Sequence, residues 1–308
     1  MAVGRTRLGK AGLALDRNWM LVTPEDGKFL IIRKEPRMTL IDTGVVDGDD
    51  GRPMLQITVP GAEAPILIPA FPDAAWLRAN CELRAAHIWG GETDAWQYGD
   101  HITGVLSAFF GKPVALVCKG PSARLGRGNG SAALYGSADT AHNFADLVSL
   151  LVASEASMND LNARLAGKKG EEAKDAAALS MERFRPNIVV RGRDDRPWEE
   201  DTWKRVRITT TLPHEAAMYK IDLDVVSRCA RCMAPNIDPV TAEKHPRQPW
   251  DEMMKFRRVD TGGAAKYKPC FGMLAIPRDE GKIEVGATFE VLETTDKHRY
   301  DTRKFADL

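Results

Sequence analysis

The chain has 308 residues, enough for one large domain or two of ordinary size, and 44% of them are hydrophobic, enough to bury a full core. Its 43 lysines and arginines balance 43 aspartates and glutamates, which excludes a protein charged as a whole for nucleic acid or for an anionic membrane. No apolar run is long enough to span a bilayer, so we expect no transmembrane segment in this chain. The five cysteines lack the spacing of a disulfide framework and indicate thiols in a reducing compartment.

The first part of the chain shows short β-strand patterns separated by turns, which predicts a β-barrel-like domain over residues 1–125. A turn signal at residues 24–27 joins the first two strands as a hairpin. One helix is predicted over residues 100–110, because apolar residues recur there at helical spacing and Gly111 follows. Strands are predicted over residues 18–22, 28–33, 38–41, 45–46, 54–59, 64–69, 81–89 and 114–118.

A glycine-rich connector is predicted over residues 126–143. Its glycines imitate the spacing of a phosphate-binding loop, but no strand–turn–helix unit surrounds them, so we favour a connector. The glycines are Gly126, Gly128, Gly130 and Gly136.

A second domain is predicted over residues 144–308, again mainly β with a few helices, so the fold class of the whole chain is α+β with strands dominant. A helix is predicted over residues 154–165, with Ser154 or Ser157 as its N-cap, and a charged linker over residues 168–174. Strands are predicted over residues 150–153, 187–191, 208–212, 222–226 and, as a final pair, 283–292.

Two cysteines three positions apart, Cys229 and Cys232, are the most informative feature of the chain. Arg228 and Arg231 stand beside them, and nearby positive charge favours the thiolate, which attacks electrophiles and binds soft metals. The pair could form a redox disulfide, half of a zinc site, one reactive cysteine with a bystander, or two structural thiols.

Spacing favours neither a zinc finger nor a thioredoxin-like pair. Twelve residues separate His245 from the cysteine pair, but a finger needs a second histidine three to five residues later, and positions 249–251 are Pro, Trp and Asp. Cys270 could complete the site instead, but 24 residues separate it from His245. A redox pair of the thioredoxin type precedes a helix, and Pro235 and Pro239 disfavour a long helix at this point.

Several arginines stand at strand edges, where a planar guanidinium suits the capture of a phosphate or carboxylate. Arg17 precedes the first predicted strand, and Arg183 and Arg185 precede the strand at residues 187–191. Together with Arg231, they favour an anionic ligand beside a cysteine. Asp146, just before the strand at residues 150–153, could point into such a site or cap a turn.

Six motifs in a fixed order extend this pattern over nearly the whole chain. The motifs are Leu15-Asp-Arg-Asn-Trp19, Arg33-Lys-Glu-Pro-Arg37, Ser154-Glu-Ala-Ser157 with Leu161-Asn162, Arg183-Phe-Arg-Pro-Asn-Ile-Val189, Glu200-Asp201-x-Trp203 and Cys229-x-Arg-Cys232-x4-Ile-Asp-Pro239. With these motifs the chain resembles the MOSC-domain proteins of the mitochondrial amidoxime reducing component type.

The resemblance implies an N-terminal MOSC β-barrel domain before a β-barrel MOSC domain, and an enzyme that uses the molybdenum cofactor (molybdopterin). It implies that Cys232 is the catalytic cysteine and ligates molybdenum, and that Arg17, Arg185, Asn187 and Arg231 contact the phosphate or pterin of the cofactor. The family as a whole is also described as binding pyridoxal phosphate, so the resemblance implies this property at the family level.

The implied reaction reduces N-hydroxylated compounds, such as amidoximes and hydroxylamines, to amines, with electrons from cytochrome b5 and its reductase or an equivalent. The residues are consistent with this chemistry, because a soft thiolate suits molybdenum. Reduction of an N–O bond also needs protons, and Asp146 is the candidate for the proton relay.

The chain departs from the family pattern in three places. It has no Tyr-Pro-Ile-Lys-Ser motif, from which we expect a barrel without its first strand and a weaker phosphate site. Leu147 and Val148 follow Asp146, where serine or threonine is often found, and Ala230 replaces a small hydroxyl residue. Each change removes a hydrogen bond to the pterin.

Two alternatives to the reductase therefore stay open. One is a MOSC protein that binds the molybdenum cofactor or carries sulfur without catalysis. The other is a structural zinc or interaction protein built on Cys229 and Cys232. The chain as given predicts a soluble intracellular protein, and an anchor upstream of Met1 would associate it with mitochondria.

Overall fold

β-Strands dominate the computed structural model, which describes residues 2–135, 141–167, 178–260 and 267–301. Gly136 and the predicted charged linker at residues 168–174 lie outside the described residues. The strands are β1 (Arg5–Gly9), β2 (Gly12–Leu13), β3 (Trp19–Val22), β4 (Asp42–Asp47), β5 (Pro53–Thr58), β6 (Ile66–Pro69), β7 (Cys81–Ile88), β8 (Gly91–Tyr98), β9 (Ala115–Lys119), β10 (Leu150–Ser154), β11 (Ile188–Val190), β12 (Trp203–Leu212), β13 (Ala217–Ala230), β14 (Cys270–Pro277), β15 (Gly281–Glu284) and β16 (Thr288–Thr294). The α-helices are α1 (Ala74–Asn80), α2 (Asp100–Phe110), α3 (Ala132–Tyr135), α4 (Glu155–Ala166) and α5 (Trp250–Phe256).

The chain divides into two compact units. The first contains residues 15–124 with the short segments 1–3 and 238–243, and the second contains residues 4–14, 125–237 and 244–308. The predicted fold class, mainly β with a few helices, is confirmed. In the parts of the chain that the structure describes, no helix is long and apolar enough to cross a membrane.

Two antiparallel sheets form the first unit, one in the order β3-β9-β8-β7 and one in the order β4-β5-β6. Helix α2 buries Ile102 and Leu106 in the core of this unit. It ends as predicted at Gly111, which adopts a left-handed backbone (φ +68°) and donates its N–H to the carbonyl of Ser107 at 2.8 Å. Glycine suits this position because it has no Cβ to clash.

Two strands predicted in the first unit are wrong. Over residues 28–33 only single bridges form, and the chain then turns where the carbonyl of Ile31 accepts from the N–H groups of Lys34 and Glu35. The next segment, predicted as a strand over 38–41, is a 3-10 helix, Pro36–Leu40. Proline explains this difference, because it lacks an N–H for a strand ladder and its fixed φ suits the first helical position.

The second unit is built on a sheet in the order β11-β10-β14-β13-β12-β16. All its pairs are antiparallel except β10 with β11, and a smaller sheet has the order β15-β1-β2. Strand β14 was not predicted from the sequence. All eight of its residues are buried, so it shows no alternation of polar and apolar side chains.

Helix α4 was predicted with Ser154 or Ser157 as its N-cap, and neither serine caps it through its side chain. Ser154 occupies the N-cap position but its side chain makes no capping bond. The other candidate, Ser157, is fully buried and donates from Oγ to Oε2 of Glu200 at 2.9 Å. It also accepts the N–H of Trp198 at 2.7 Å, so this serine ties the helix to the segment before β12.

Candidate functional site

The end of β13 carries the two cysteines. Ala230 is its last residue and pairs with Cys270 at the start of β14, and the N–H of Arg231 donates to the carbonyl of Pro269 at 2.8 Å. Both Cys229 and Cys232 are half-buried free thiols. The Sγ of Cys232 accepts the N–H of Ala234 at 3.5 Å, so its backbone partner lies in the turn that follows the strand.

The pairing of β13 with β14 contains two register shifts close to the cysteines. One register shift lies between Val225 and Ser227, and a second lies between Arg228 and Ala230. Opposite the second shift, Gly272 has φ +74°, and a Cβ there would stand 2.7 Å from the carbonyl oxygen of Val152. Because Gly272 has no side chain, the strand can bend at a place where no other residue fits.

Arg231 joins the cysteines to a second segment. One terminal nitrogen, Nη1, donates to the Sγ of Cys229 at 3.2 Å, and the other, Nη2, donates to the carbonyl of Phe184 at 2.8 Å. Phe184 is fully buried and stacks on Phe271 with ring centroids 3.9 Å apart. Arg183 adds a bond from Nη1 to the carbonyl of Pro235 at 3.4 Å. The arginines and cysteines that the sequence separates by more than 40 positions therefore lie together.

Arg185 and Asn187 continue the second segment. Arg185 ends the 3-10 helix Met181–Phe184 with a left-handed backbone, φ +55°, a conformation that costs a non-glycine residue roughly 1 kcal/mol or more. Asn187 bridges to β10, since its Oδ1 accepts the N–H of Leu151 at 2.8 Å and its own N–H donates to the carbonyl of Leu151 at 2.8 Å. The Oδ1 atom of Asn187 thus holds the segment in place.

The remaining predicted site residues are Arg17 and Asp146, and each is described within its own unit. Arg17 belongs to the first unit, where it pairs with Asp16 at 2.5 Å and has φ +51°. Asp146 belongs to the second unit, where it is exposed in a bend before β10. Val148, two residues after Asp146, lies in the apolar cluster against which Cys229 packs.

Arg228 does not serve the cysteines, although the sequence places it beside them. Its Nε lies 3.8 Å from Asp201, whose side chain is largely buried, and its Nη1 lies 3.8 Å from the buried Asp260. Arg257 completes this group with two bonds to Asp201, at 2.9 and 2.8 Å. Neighbouring strand residues point to opposite faces, which separates Arg228 from the sulfur of Cys229.

We call Asp201, Arg228, Arg257 and Asp260 the buried charge cluster. It contacts the start of β14, because Arg257 Nε donates at 2.9 Å to the carbonyl of Cys270, which pairs with the last residue of β13. Burial raises the pKa of the Cys270 thiol to about 12, so this third cysteine stays protonated at neutral pH. The sequence does not predict this cluster, because its members come from three segments that are distant along the chain: Asp201, Arg228, and Arg257 with Asp260.

His298 and Tyr300 cover the buried charge cluster. His298 donates from Nε2 to the carbonyl of Asp201 at 2.9 Å, and Tyr300 donates to the carboxylate of Asp260. Burial raises the pKa of Asp260 and lowers that of His298.

The histidine makes the stability of the protein sensitive to acid. Its pKa in the folded chain lies below the ordinary 6.5, mainly through burial, so the unfolded chain binds a proton that the folded chain does not. Stability is therefore full above about pH 6.5 and falls as the pH drops below it, by at most about 1.4 kcal/mol per pH unit. We expect urea midpoints to fall from pH 7 to pH 5, and less so in His298→Gln.

That comparison isolates the histidine. The raised pKa of Asp260 acts with the opposite sign, because its folded carboxyl keeps a proton that the unfolded chain has lost. Both proteins contain Asp260, so their difference reports His298 together with its electrostatic effect on Asp260. Equal pH slopes in the two proteins would contradict the assignment.

The zinc alternative lacks its ligands in the parts of the chain that the structure describes. No group of three or more histidine, cysteine, aspartate or glutamate side chains is arranged there to hold a metal ion. The Nδ1 of His245 instead accepts the backbone N–H groups of Arg247 and Gln248 at 3.0 and 2.7 Å. A zinc site needs four such ligands.

Comparison with known families agrees with this architecture. The family model described as MOSC N-terminal beta barrel domain matches residues 1–113, and the model described as MOSC domain matches residues 139–290. The chain therefore belongs to the MOSC-domain proteins, with the N-terminal barrel domain before the MOSC domain, and the family predicted from the motifs is confirmed. The predicted limits at residues 125 and 144 stay a prediction.

Several curated proteins are similar over most of the chain. Mitochondrial amidoxime-reducing component 1 of Danio rerio is 28% identical over 283 residues, which cover 91% of this chain and 75% of that protein. Mitochondrial amidoxime reducing component 2 of Rattus norvegicus is also 28% identical, over 90% of this chain and 73% of its own length. Molybdenum cofactor sulfurase of Danio rerio is 25% identical over 77% of this chain and 26% of its own length.

The cysteine end of β13 combines a sulfur ligand with cationic side chains, and this combination is compatible with an anionic cofactor that carries a soft metal. Cys232 offers a half-buried sulfur, a soft ligand suited to molybdenum. The Nε of Arg231 is buried and has no hydrogen-bond partner among the described residues, and an anionic cofactor would supply one. The cationic side chains of Arg183 and Arg231 flank the same turn.

Proposed function

We propose that this protein is a molybdenum-cofactor-dependent reductase of N-hydroxylated compounds, with molybdenum bound by Cys232. One observation carries the proposal: the half-buried Cys232 follows a strand end that Arg231 fixes to Phe184. The amidoxime-reducing relatives support it, since they match this chain over about nine tenths of its length.

In this proposal the arginines hold the cofactor and Asn187 supports them. Arg185 and Arg231, both in the second unit, contact the phosphate or pterin of the cofactor. Asn187 keeps β11 paired to β10 and thereby holds the backbone at Arg185. Because Arg231 already donates to Cys229 and Phe184, its position is set before a ligand arrives, which favours tight binding.

Asp146 is proposed to deliver a proton to the substrate. The exposed carboxyl can exchange protons with solvent. Reduction of an amidoxime consumes two electrons and two protons and releases water as the N–O bond breaks. The cofactor, when bound, supplies the two electrons. We propose cytochrome b5 and its reductase, or an equivalent pair, as the electron source, and mitochondrial association as the location.

Metal analysis together with a reductase assay tests the proposal. The full chain is produced in a host that makes the molybdenum cofactor, and benzamidoxime reduction is measured with cytochrome b5, its reductase and NADH. A second assay uses chemically reduced methyl viologen, so that a different physiological donor does not hide activity. We expect about one molybdenum per chain and turnover in the second assay at least.

Three other results would overturn this assignment in different ways. Stoichiometric molybdenum without turnover in either assay would favour a carrier of the cofactor or of sulfur. This alternative is supported by the similarity of the chain to a protein named molybdenum cofactor sulfurase. Zinc in place of molybdenum would favour the structural alternative. Protein that binds neither metal would remove both metal-based proposals.

A further inference from the structure

The last described segment of the chain, residues 295–301, lies beyond the residues that the MOSC family model matches, which end at 290. We call this segment the strap. A second segment, residues 128–135, lies between the two family matches and contains α3. We call it the bridge segment. Both belong to the second unit.

The strap is held along its length by the buried charge cluster and its surroundings. The N–H of Thr295 donates to the carbonyl of Thr202 at 2.7 Å, and His298 donates to the carbonyl of Asp201. Tyr300 bonds to Asp260 and also accepts from Nη1 of Arg228 at 3.3 Å. Arg228 immediately precedes Cys229, so the strap contacts the residue next to the site.

The far end of the strap contacts the bridge segment. Nη1 of Arg299 donates to the carbonyl of Leu134 at 3.1 Å, and the N–H of Asp301 donates to Oδ1 of Asn129 at 2.8 Å. Two segments outside the matched family residues therefore bind each other.

The bridge segment in turn lies on the cysteine side of β13. Tyr135 donates its hydroxyl to the carbonyl of Val226 at 3.3 Å. A Cβ on Gly130 would stand 1.9 Å from Cγ1 of Val148, which shows how closely this backbone approaches the residues after Asp146. Tyr135 and Cys229 pack against the same apolar cluster. Its members are Val148, Leu151, Val226, Leu274 and Ile276.

We infer that the strap is a latch that holds the bridge segment over the cysteine side of β13 and thereby limits access to Cys229. Its hydrogen bonds to Asp260, Leu134 and Asn129 are the fastening points. Residues outside the shared family core would then set the size of molecule that reaches the site. The inference concerns access to a thiol and does not depend on which metal, if any, Cys232 binds.

Thiol labelling of the full chain tests the latch. Each variant is exposed to a small maleimide, and the labelling rate of each cysteine is read by mass spectrometry of peptides. Tyr300→Phe removes the bonds to Asp260 and to Arg228, and a chain ending at Thr294 removes the strap. Loss of one hydrogen bond worth about 1 kcal/mol shifts a local opening equilibrium by roughly fivefold. We expect Cys229 labelling to rise by at least that factor in Tyr300→Phe, and further in the shortened chain.

Two controls test whether the opening is local or reflects general unfolding. Tyr219→Phe, in the opposite half of β13, should leave the labelling rate of Cys229 unchanged. Cys81, a half-buried thiol of the first unit, should label at one rate in every variant. Unchanged Cys229 labelling in both strap variants would overturn the inference. So would equal acceleration at Cys81 and Cys229, since it would show general unfolding in place of a latch.

Discussion

Cys232→Ala is expected to lose molybdenum and reductase activity almost completely, whereas Cys229→Ala is expected to keep the metal. The two sulfurs differ in what they contact. The Sγ of Cys229 accepts a bond from Nη1 of Arg231, while that of Cys232 has a 3.5 Å contact with the backbone N–H of Ala234. Cys229 also packs against an apolar cluster, whereas Cys232 stands in the turn after the strand, so we expect the metal at Cys232, and alanine supplies no ligand in its place.

The Cys229→Ala protein is a matched control, because it removes the same atoms three positions earlier. Molybdenum is counted by mass spectrometry of the metal in the purified chain, and activity by benzamidoxime reduction. A modest decrease in Cys229→Ala is compatible with the proposal, since Arg231 loses one of its contacts. Retention of molybdenum in Cys232→Ala, or equal loss from both variants, would rule out Cys232 as the single protein ligand.

Arg257→Met is expected to destabilise the fold by about 3 kcal/mol, because it leaves the carboxylate of Asp201 buried without its bidentate partner. The remaining cation, Arg228, stands 3.8 Å away, too far to replace those bonds. The variant also loses the bond from Arg257 to the carbonyl of Cys270 and the stacking of its guanidinium 3.9 Å from the Trp198 ring. Urea unfolding followed by circular dichroism measures the change.

An exposed arginine provides the comparison. Arg193 pairs with Asp195 on the surface, so Arg193→Met should leave the urea midpoint unchanged within error. The double variant Asp201→Leu with Arg257→Met should recover part of the loss, because it removes the unpaired charge. If Arg257→Met were no less stable than Arg193→Met, the buried charge cluster would have no structural role.

Much of the fold could be predicted because alternation and helical periodicity are local. Strand β7 and helix α2 show these patterns along their own residues and were predicted near their observed limits. Strand β14 could not be found this way, because a strand buried on both faces has no polar side. The segment around Pro36 failed for another reason, since its apolar residues suit a strand and the proline imposes a helical turn.

Some features of the candidate site could also be predicted from the sequence, and others could not. Cys229, Cys232 and Arg231 are close in sequence, and their chemistry could be inferred from neighbouring residue types. The direction of Arg228 could not be inferred, because its partners Asp201 and Asp260 come from distant segments. Partners that are distant along the chain leave no periodic pattern in a single sequence. The guanidinium of Arg228 was therefore expected beside the thiols, whereas it pairs with carboxylates in the interior.

The paired register shifts in β13 and β14 have a consequence for how this site can change. The first shift adds a residue to β13 and the second adds one to β14, so the ladder returns to its original phase at Ala230 and Cys270. Only the short stretch between them, with Arg228 and Cys229, is out of phase with the rest of the ladder. Insertion or deletion of one residue in either strand would carry the mismatch through the strand end. Length changes here must therefore occur in compensating pairs, whereas substitutions can occur singly, and a transplant of the cysteine motif must include both strands.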